Sequence, residues 1–325
     1  MTGLSDSFQR PVDYLRISVT DRCNLRCIYC MPAEGINLLP HEDILSYEEI
    51  FRIAETAAEL GIKKVRITGG EPLVRIGLSN LIRMLAQIDA IDDISLTTNG
   101  TLLAQYADEL KAAGLRRVNI SLDTLKPDKF RLITRGGDFY HVLEGINAAG
   151  AAGLNPIKIN VVVMAGSNDD ELPDFARKTI EEGWHVRFIE HMPFNQEIAD
   201  SSFVPVSYMQ ERLSALGELE PCTVKGNGPA KYYRLPRAKG TIGFITPVSQ
   251  HFCFHCNRLR LTADGKLRPC LLSEREVDLR QPLRQGILAE ELKKLIKKAV
   301  DSKPRQHKLA QGCVPQDRPF SQVGG

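Results

Sequence analysis

The sequence of 325 residues has no apolar run long enough to span a bilayer, which sets aside an integral helical membrane protein. It also has almost no net charge. Its 42 basic and 40 acidic residues leave +2, too little for a general nucleic-acid binder, so any basic function must be local. The opening stretch, MTGLSDSFQRPVDYLRISV, lacks the charged-then-apolar layout of a secretion signal. Tandem repeats beyond a βα rhythm and low-complexity segments are missing too. The expectation is a cytoplasmic globular protein with no membrane or nucleic-acid partner. Its length suits one large α/β domain with an extension, or two domains. In that setting eight cysteines read as reduced thiols holding metal rather than as a disulfide framework.

What is present begins with alternation. Short β-branched runs at Leu15–Val19, Lys64–Thr68, Ile94–Thr97, Arg117–Leu122, Ile157–Met164 and His185–Glu190 read as strands. Helical patterns lie between them. Ser46 with Glu49 three residues on is a capping-box start to a helix reaching about Gly61, and Leu78–Ile88, Leu103–Ala113, Tyr140–Ala152 and Asp169–Glu182 follow. Six β-then-α units imply parallel strands with right-handed crossovers, as a doubly wound sheet or a barrel. An incomplete six-stranded (β/α) barrel is the expectation, over 5–225. The rest, 226–325, is expected to be a C-terminal extension beyond a turn-rich linker at Lys225–Ala230. It holds strands at Tyr232–Leu235 and Thr241–Thr246 and a basic amphipathic helix at about Leu288–Val300, whose lysines read as a solvated face.

Three cysteines, Cys23, Cys27 and Cys30, follow the first strand directly, on a loop at its C-terminal end, where parallel α/β folds bind ligands. A tetrahedral metal wants four ligands. A zinc knot completed from a distance is one solution. The spacing, with Tyr29 just before the last cysteine, instead resembles the signature of the radical S-adenosylmethionine (SAM) enzymes. The resemblance implies a [4Fe–4S] cluster on the three cysteines, with SAM itself on the fourth iron. TGGEP, Thr68–Pro72, is by itself a tight βα turn; the resemblance makes Gly70 a SAM contact. It does the same for Tyr29, for Ser121 at the end of the fourth strand and for Met192 after the sixth.

Arg16, Arg66, Lys158 and Arg187 each interrupt an apolar strand. A charge in mid-strand of a parallel sheet is costly unless paired. Local salt bridges are one answer, with Glu190 a candidate partner. Four cations on four strands point instead to a shared lumen prepared for an anion, with phosphates the natural ligand.

A second triplet, Cys253, Cys256 and Cys270, repeats the shortfall. From spacing alone it is equally a zinc ribbon with Cys222, Cys313, His251 or His255 as fourth ligand. Arg258 and Arg260, two residues apart on one face of a short strand, are more than a structural zinc site needs. Taken together, DRCNLRCIYCMP, RITGGEPLVR, TTNG, CNRLRLTADGKLRPCL and a terminal GG resemble the GTP 3′,8-cyclase family, from about Tyr14 onward. That resemblance implies a second [4Fe–4S] cluster on Cys253, Cys256 and Cys270, with its open iron beside guanine. It places Arg16, Arg66, Thr97, Lys158, Arg258 and Arg260 at GTP; Arg187 joins them from the lumen argument alone. It also leaves Cys222 and Cys313 as bystanders and sends Gly324–Gly325 into the active site.

The implied chemistry is removal of the ribose 3′ hydrogen by a 5′-deoxyadenosyl radical and attack of the 3′ carbon on guanine C8. The product would be 3′,8-cyclo-7,8-dihydroguanosine triphosphate, at the start of molybdenum-cofactor biosynthesis. Arg258 or Arg260 would supply charge or a proton. Implied partners are cyclic pyranopterin monophosphate synthase downstream, an unidentified electron donor and a second copy in a homodimer. The rivals are a peptide-modifying radical SAM maturase and a zinc-stabilised nucleic-acid-binding module.

Overall fold

The computed structural model describes residues 3–192, 202–224, 228–311, 313–315 and 317–323; Gly324–Gly325 and the 225–227 part of the expected linker lie outside them. Six strands alternate with helices through the first part of the chain: β1 (Tyr14–Ser18), β2 (Lys64–Thr68), β3 (Asp93–Thr98), β4 (Arg117–Ser121), β5 (Lys158–Val163) and β6 (His185–Glu190). All are parallel and neighbour one another in chain order, the six-unit arc that the βα rhythm predicts.

The arc is longer than six. Four further strands precede or flank the second cysteine group: β7 (Glu220–Cys222), β8 (Lys231–Arg234), β9 (Thr241–Ile245) and β10 (Arg258–Leu261). The hairpin partner β11 (Lys266–Arg268) and a short β12 (Val277–Asp278) follow. β10 adds in parallel to the free edge of β1, and β9 in parallel to that of β6. An open arc exposes two rows of unpaired backbone groups, and the C-terminal strands cover both. The outermost strands, β7 and β12, have only three and two residues, and β7 contains Pro221, so each makes a poor template for further pairing.

Period two decides what each face of the sheet does. Outward residues are apolar: Leu15 and Ile17, Val65 and Ile67, Ile94 and Leu96, Val118 and Ile120, Ile159 and Val161, Val186 and Phe188, all at most 3% exposed. They pack under α1 (Tyr47–Glu59), α2 (Leu78–Leu85), α3 (Leu103–Ala112), α4 (Pro127–Thr134), α5 (Phe139–Ala151) and α6 (Leu172–Glu181). The inward residues are polar. Parallel strands sealed on both faces are apolar throughout, so this alternation marks an interior that is not packed shut with hydrocarbon.

Helix ends follow local chemistry. Ser46 accepts from the Glu49 amide at 3.1 Å while Glu49 accepts from the Ser46 amide at 2.7 Å, the reciprocal cap expected at the start of α1. α6 begins at Leu172 rather than Asp169, because Pro173 fits only the first turn of a helix; a single 3₁₀ turn, Asp169–Glu171, precedes it. Three short helices escape the sequence pattern, α4, α7 (Val206–Ser214) and α8 (Arg280–Arg284). The basic helix near the end, α9 (Ala289–Asp301), buries Leu292, Ile296, Ala299 and Val300. Its Lys293 pairs with Glu59 and Glu290, so it carries a solvated face.

Candidate active site

The first cysteine loop leaves the C-terminal end of β1 and is held by its neighbours' backbones. The amides of Arg26 and Ile28 donate to the carbonyls of Thr134 and Ile133, at the C-terminal end of α4, which have no partner within the helix. A turn closed by Cys30 N–H to Cys27 O at 2.9 Å brings these two cysteines together. From the β2 loop, Gly70 and Glu71 donate to Thr20 O and Arg22 O, both at 2.8 Å. A Cβ on Gly70 would stand 2.3 Å from Arg22 O, so the glycine is required by this backbone-to-backbone approach.

Two buried acids complete this end, and neither stands among the residues that the sequence patterns single out. Glu71 accepts from Leu73 N, Thr98 Oγ1 and Asn99 N, and burial pushes its carboxyl up to about 7 against those bonds. Asp123 accepts from the Tyr29 hydroxyl at 2.8 Å and from Val162 N at 2.8 Å, and burial raises it to about 6. The signals for them were local. Glu71 lies within TGGEP, and Asp123 is two residues beyond Ser121, on the same strand end. Burial, reinforced by these acids and by the thiols themselves, lifts Cys23 to about 11, Cys30 to about 12 and Cys27 well above its ordinary value. Ser121 closes β4, and Met192 stands half-buried two residues past β6.

The second cysteine group is on the other side of β1 in the sheet. Cys253 opens a 3₁₀ turn ahead of β10, and the β10–β11 hairpin carries Cys270 back toward Cys256. Cations surround it. Lys303, 4% exposed, donates to Arg258 O at 2.7 Å and Pro269 O at 2.9 Å and stands 3.9 Å from Cys256 Sγ. Arg10 donates to Cys253 O at 2.7 Å and ties in Pro304 and Arg305. Burial works against the Cys256 thiolate, yet Arg258 and Lys303 together outweigh it and bring the thiol down to about 6. Of the alternative fourth ligands, Cys222 ends β7 at the opposite end of the sheet order, Cys313 is exposed, and the His251 ring stacks between Phe254 and His307.

Each triplet supplies three thiols and no imidazole. Among the described residues, no three His, Cys, Asp or Glu side chains converge as around a single metal ion. Thiolates are the donors that iron–sulfur clusters take, so both donor sets suit such a cluster.

Between the triplets runs the polar inner face. Register aligns Arg260, Arg16, Arg66 and Ser95 across β10, β1, β2 and β3, and Thr97, Asn119, Lys158 and His185 across β3 to β6. Of the basic residues singled out in the strands, Arg16, Arg66, Lys158, Arg187 and Arg260 are here and buried, none above 8% exposed, while Arg258, the first residue of β10, is half-buried. Arg66 donates to Ser95 at 3.1 Å and Arg187 to Asn119 at 2.5 Å. Asp93, the carboxylate on this face, is engaged by Arg117. Glu190 is not a lumen partner. Three residues from Arg187, it faces the opposite side and accepts from Val206, Val248 and Ser249.

Burial and mutual repulsion weaken these cations. Lys158 is brought down to about 7, by burial and by Arg187, Arg117 and Arg66; Arg187 falls to about 10 and Arg260 to about 9, and Arg16 is lowered as well. Among the described residues, the Oγ1 of Thr97 and the Nε of Arg187 are buried with no hydrogen-bond partner. The donors on such a surface suit an anion with many oxygens.

Known proteins agree with this anatomy. The Radical SAM superfamily model matches residues 17–179, and the Molybdenum Cofactor Synthesis C model matches 184–309. The GTP 3′,8-cyclase of Moorella thermoacetica is 53% identical over 99% of this chain and 100% of its own length; that of Listeria monocytogenes is 48% identical over the whole of both. In fold, the chain is similar to Streptococcus suis SuiB bound to S-adenosylmethionine, with a TM-score of 0.61 at 15% identity over 87% of this chain and 68% of that one. No helix among the described residues is long and apolar enough to cross a membrane. The chain belongs to the GTP 3′,8-cyclase family of the radical SAM superfamily.

Proposed function

We propose that the protein converts GTP to 3′,8-cyclo-7,8-dihydroguanosine triphosphate, in the cytoplasm, as the first step of molybdenum-cofactor biosynthesis. The observation that carries this reading is the buried, cation-lined face running between two thiol triplets. A peptide-modifying maturase or a zinc-stabilised nucleic-acid module has no use for it.

Cys23, Cys27 and Cys30 would hold one [4Fe–4S] cluster and Cys253, Cys256 and Cys270 another. With SAM bound to the first, the pair supplies a one-electron source and a primary carbon radical able to remove hydrogen from an unactivated C–H bond. The chain's own work is binding and aim. Tyr29, Gly70, Ser121 and Met192 would hold SAM, and Asp123 fixes the Tyr29 hydroxyl. Arg16, Arg66, Lys158, Arg187 and Arg260 would grip the triphosphate, with Thr97 donating its unpartnered hydroxyl. Arg258 would join Arg260 at the nucleotide, where either can offer a proton or stabilise charge as the guanine ring is reduced. A carbon radical attacks whatever hydrogen lies roughly 3–3.5 Å away, so this grip selects the ribose 3′ position. Residues 5–225 would furnish the SAM site and most of the lumen, and 226–325 the second triplet and a Gly324–Gly325 tail entering the site. A separate electron donor would serve the first cluster, and a synthase would take the product onward to cyclic pyranopterin monophosphate; a homodimer is the assembly to test for.

The test is anaerobic turnover of cluster-loaded protein with dithionite, SAM and each nucleoside triphosphate in turn. GTP-dependent 5′-deoxyadenosine, together with a nucleotide of the same mass as GTP and a different retention, is the expected result, because one hydrogen leaves C3′ and one is added to the guanine ring. Deoxyadenosine formed equally without GTP would remove GTP as the substrate.

A further inference from the structure

Within the inner face, Tyr14 lies one strand period before Arg16 and is 3% exposed. Register sets it between Lys64 on β2 and Arg258 on β10. The Arg66 guanidinium stands 5.5 Å over its ring, and its phenol lies within electrostatic reach of Arg16, Arg187 and Arg260. Among the described residues its Oη has no hydrogen-bond partner.

The chemistry of the neighbours explains why. Arginine and lysine only donate, so none of the cations around Tyr14 can accept the phenolic proton. A buried hydroxyl without an acceptor is destabilising, and the group it lacks must therefore bring oxygen lone pairs. The surrounding charge selects an anionic oxygen. A neutral donor has a further merit here: another cation would add to a repulsion that already weakens Lys158, Arg187 and Arg260, whereas a phenol adds a hydrogen bond and no charge. Its place in the strand indicates which part of an elongated anion it meets. Tyr14 lies toward the N-terminal end of β1, away from the cysteine loop at the other end, and hence at the end of the lumen remote from the first triplet.

We propose that Tyr14 is a substrate-binding residue whose hydroxyl donates to a phosphate oxygen of the nucleoside triphosphate, with its ring serving as the shelf for Arg66. The proposal rests on the lumen being the triphosphate site. Its effect grows with the number of phosphates, so it contributes to selecting a triphosphate over the bare nucleoside.

Cluster-loaded parent, Tyr14→Phe and Tyr14→Leu proteins would be titrated anaerobically by calorimetry with GTP, inorganic tripolyphosphate and guanosine. Tyr14→Phe keeps the ring and should weaken GTP and tripolyphosphate about tenfold while leaving guanosine unchanged. Tyr14→Leu should weaken the two anions further, since Arg66 loses its ring. The unfolding midpoint of Tyr14→Phe should match the parent, and its turnover should show a raised KM with kcat retained. Equal affinity of parent and Tyr14→Phe for tripolyphosphate would overturn the assignment, and so would an equal loss for guanosine. Failure of the parent to bind either GTP or tripolyphosphate would instead overturn the lumen site itself.

Discussion

The two cysteine triplets have the same number of thiols and opposite surroundings. Around Cys23, Cys27 and Cys30, burial and the carboxyl groups of Glu71 and Asp123 hold the thiols neutral. Around Cys256, Arg258 and Lys303 overcome burial and favour the thiolate, although burial still raises its neighbour Cys253. The difference matches what each would face. A SAM sulfonium would carry positive charge, and the first end holds two buried acids, Glu71 and Asp123, with Arg26 as a cation beside Cys23. GTP carries four negative charges at most, and the second end continues directly into the basic inner face through Arg258 and Arg260 on β10. One strand, β1, separates the two environments, with the first triplet beyond its C-terminal end and Arg16 on its inner face.

The strongest way to break this comparison is to remove one thiol from each side. Cys27→Ala should abolish both SAM cleavage and GTP conversion, whereas Cys256→Ala should abolish GTP conversion alone and leave SAM cleavage above background. Each variant should retain about half the parent's iron, the share of one of two equal clusters. Iron analysis, low-temperature electron paramagnetic resonance of the reduced proteins and deoxyadenosine release would read this out. SAM cleavage lost equally in both variants would show that the two ends form one unit.

A smaller effect is expected at Lys303, the buried cation of the second end. Lys303→Met removes the donor from two carbonyls, Arg258 O and Pro269 O, and the cation beside the Cys256 thiol. The loss should be about 3 kcal/mol in denaturant unfolding, and loading of the second triplet should weaken while that of the first is unchanged. An unaltered second triplet in a folded Lys303→Met protein would mean that Arg258 alone sets its charge.

Much of this was legible because period two and charge do not mix by accident. KVRIT and HVRFIE show both faces of their strands in the letters, and β2 and β6 have the bounds that those letters predict. The cysteines and lumen cations announce themselves, being expensive residues in unlikely places. What pairs with what is less visible. The same period shows that Arg187 and Glu190 point to opposite faces, which a search for the nearest acid overlooks. The attachment of β9 and β10 to the two edges of the arc is a pairing between distant segments, with no local signal. Glu71 and Asp123 were also hidden, since an acid beside a glycine turn or at a strand end is ordinary until the loops that it joins are folded together. α4 begins with Pro127 in a short, half-exposed segment, and its importance comes from the carbonyls it offers to the cysteine loop.

The smallest of the three effects sharpens the acidic side. Glu71 is pushed from an ordinary value near 4.5 up to about 7, by burial opposing its three hydrogen bonds. Its folded form therefore keeps a proton that the unfolded chain gives up between about pH 4.5 and 7. In that window the folded state binds more protons than the unfolded state, so this group's contribution to stability falls as pH rises, and the full penalty is present above about 7. Glu71→Gln cannot ionise, so its stability should change less with pH across the same window than the parent's does. It also offers an amide NH₂ where the carboxylate accepted from Thr98 or Asn99, a loss of about 1–2 kcal/mol at low pH. The gap between parent and variant should consequently narrow as pH rises from 4.5 to 7, measured by denaturant midpoints at several pH values in the iron-free protein. A constant gap would mean that Glu71 titrates alike in both states, and that the three donors gathered on it compensate fully for its burial.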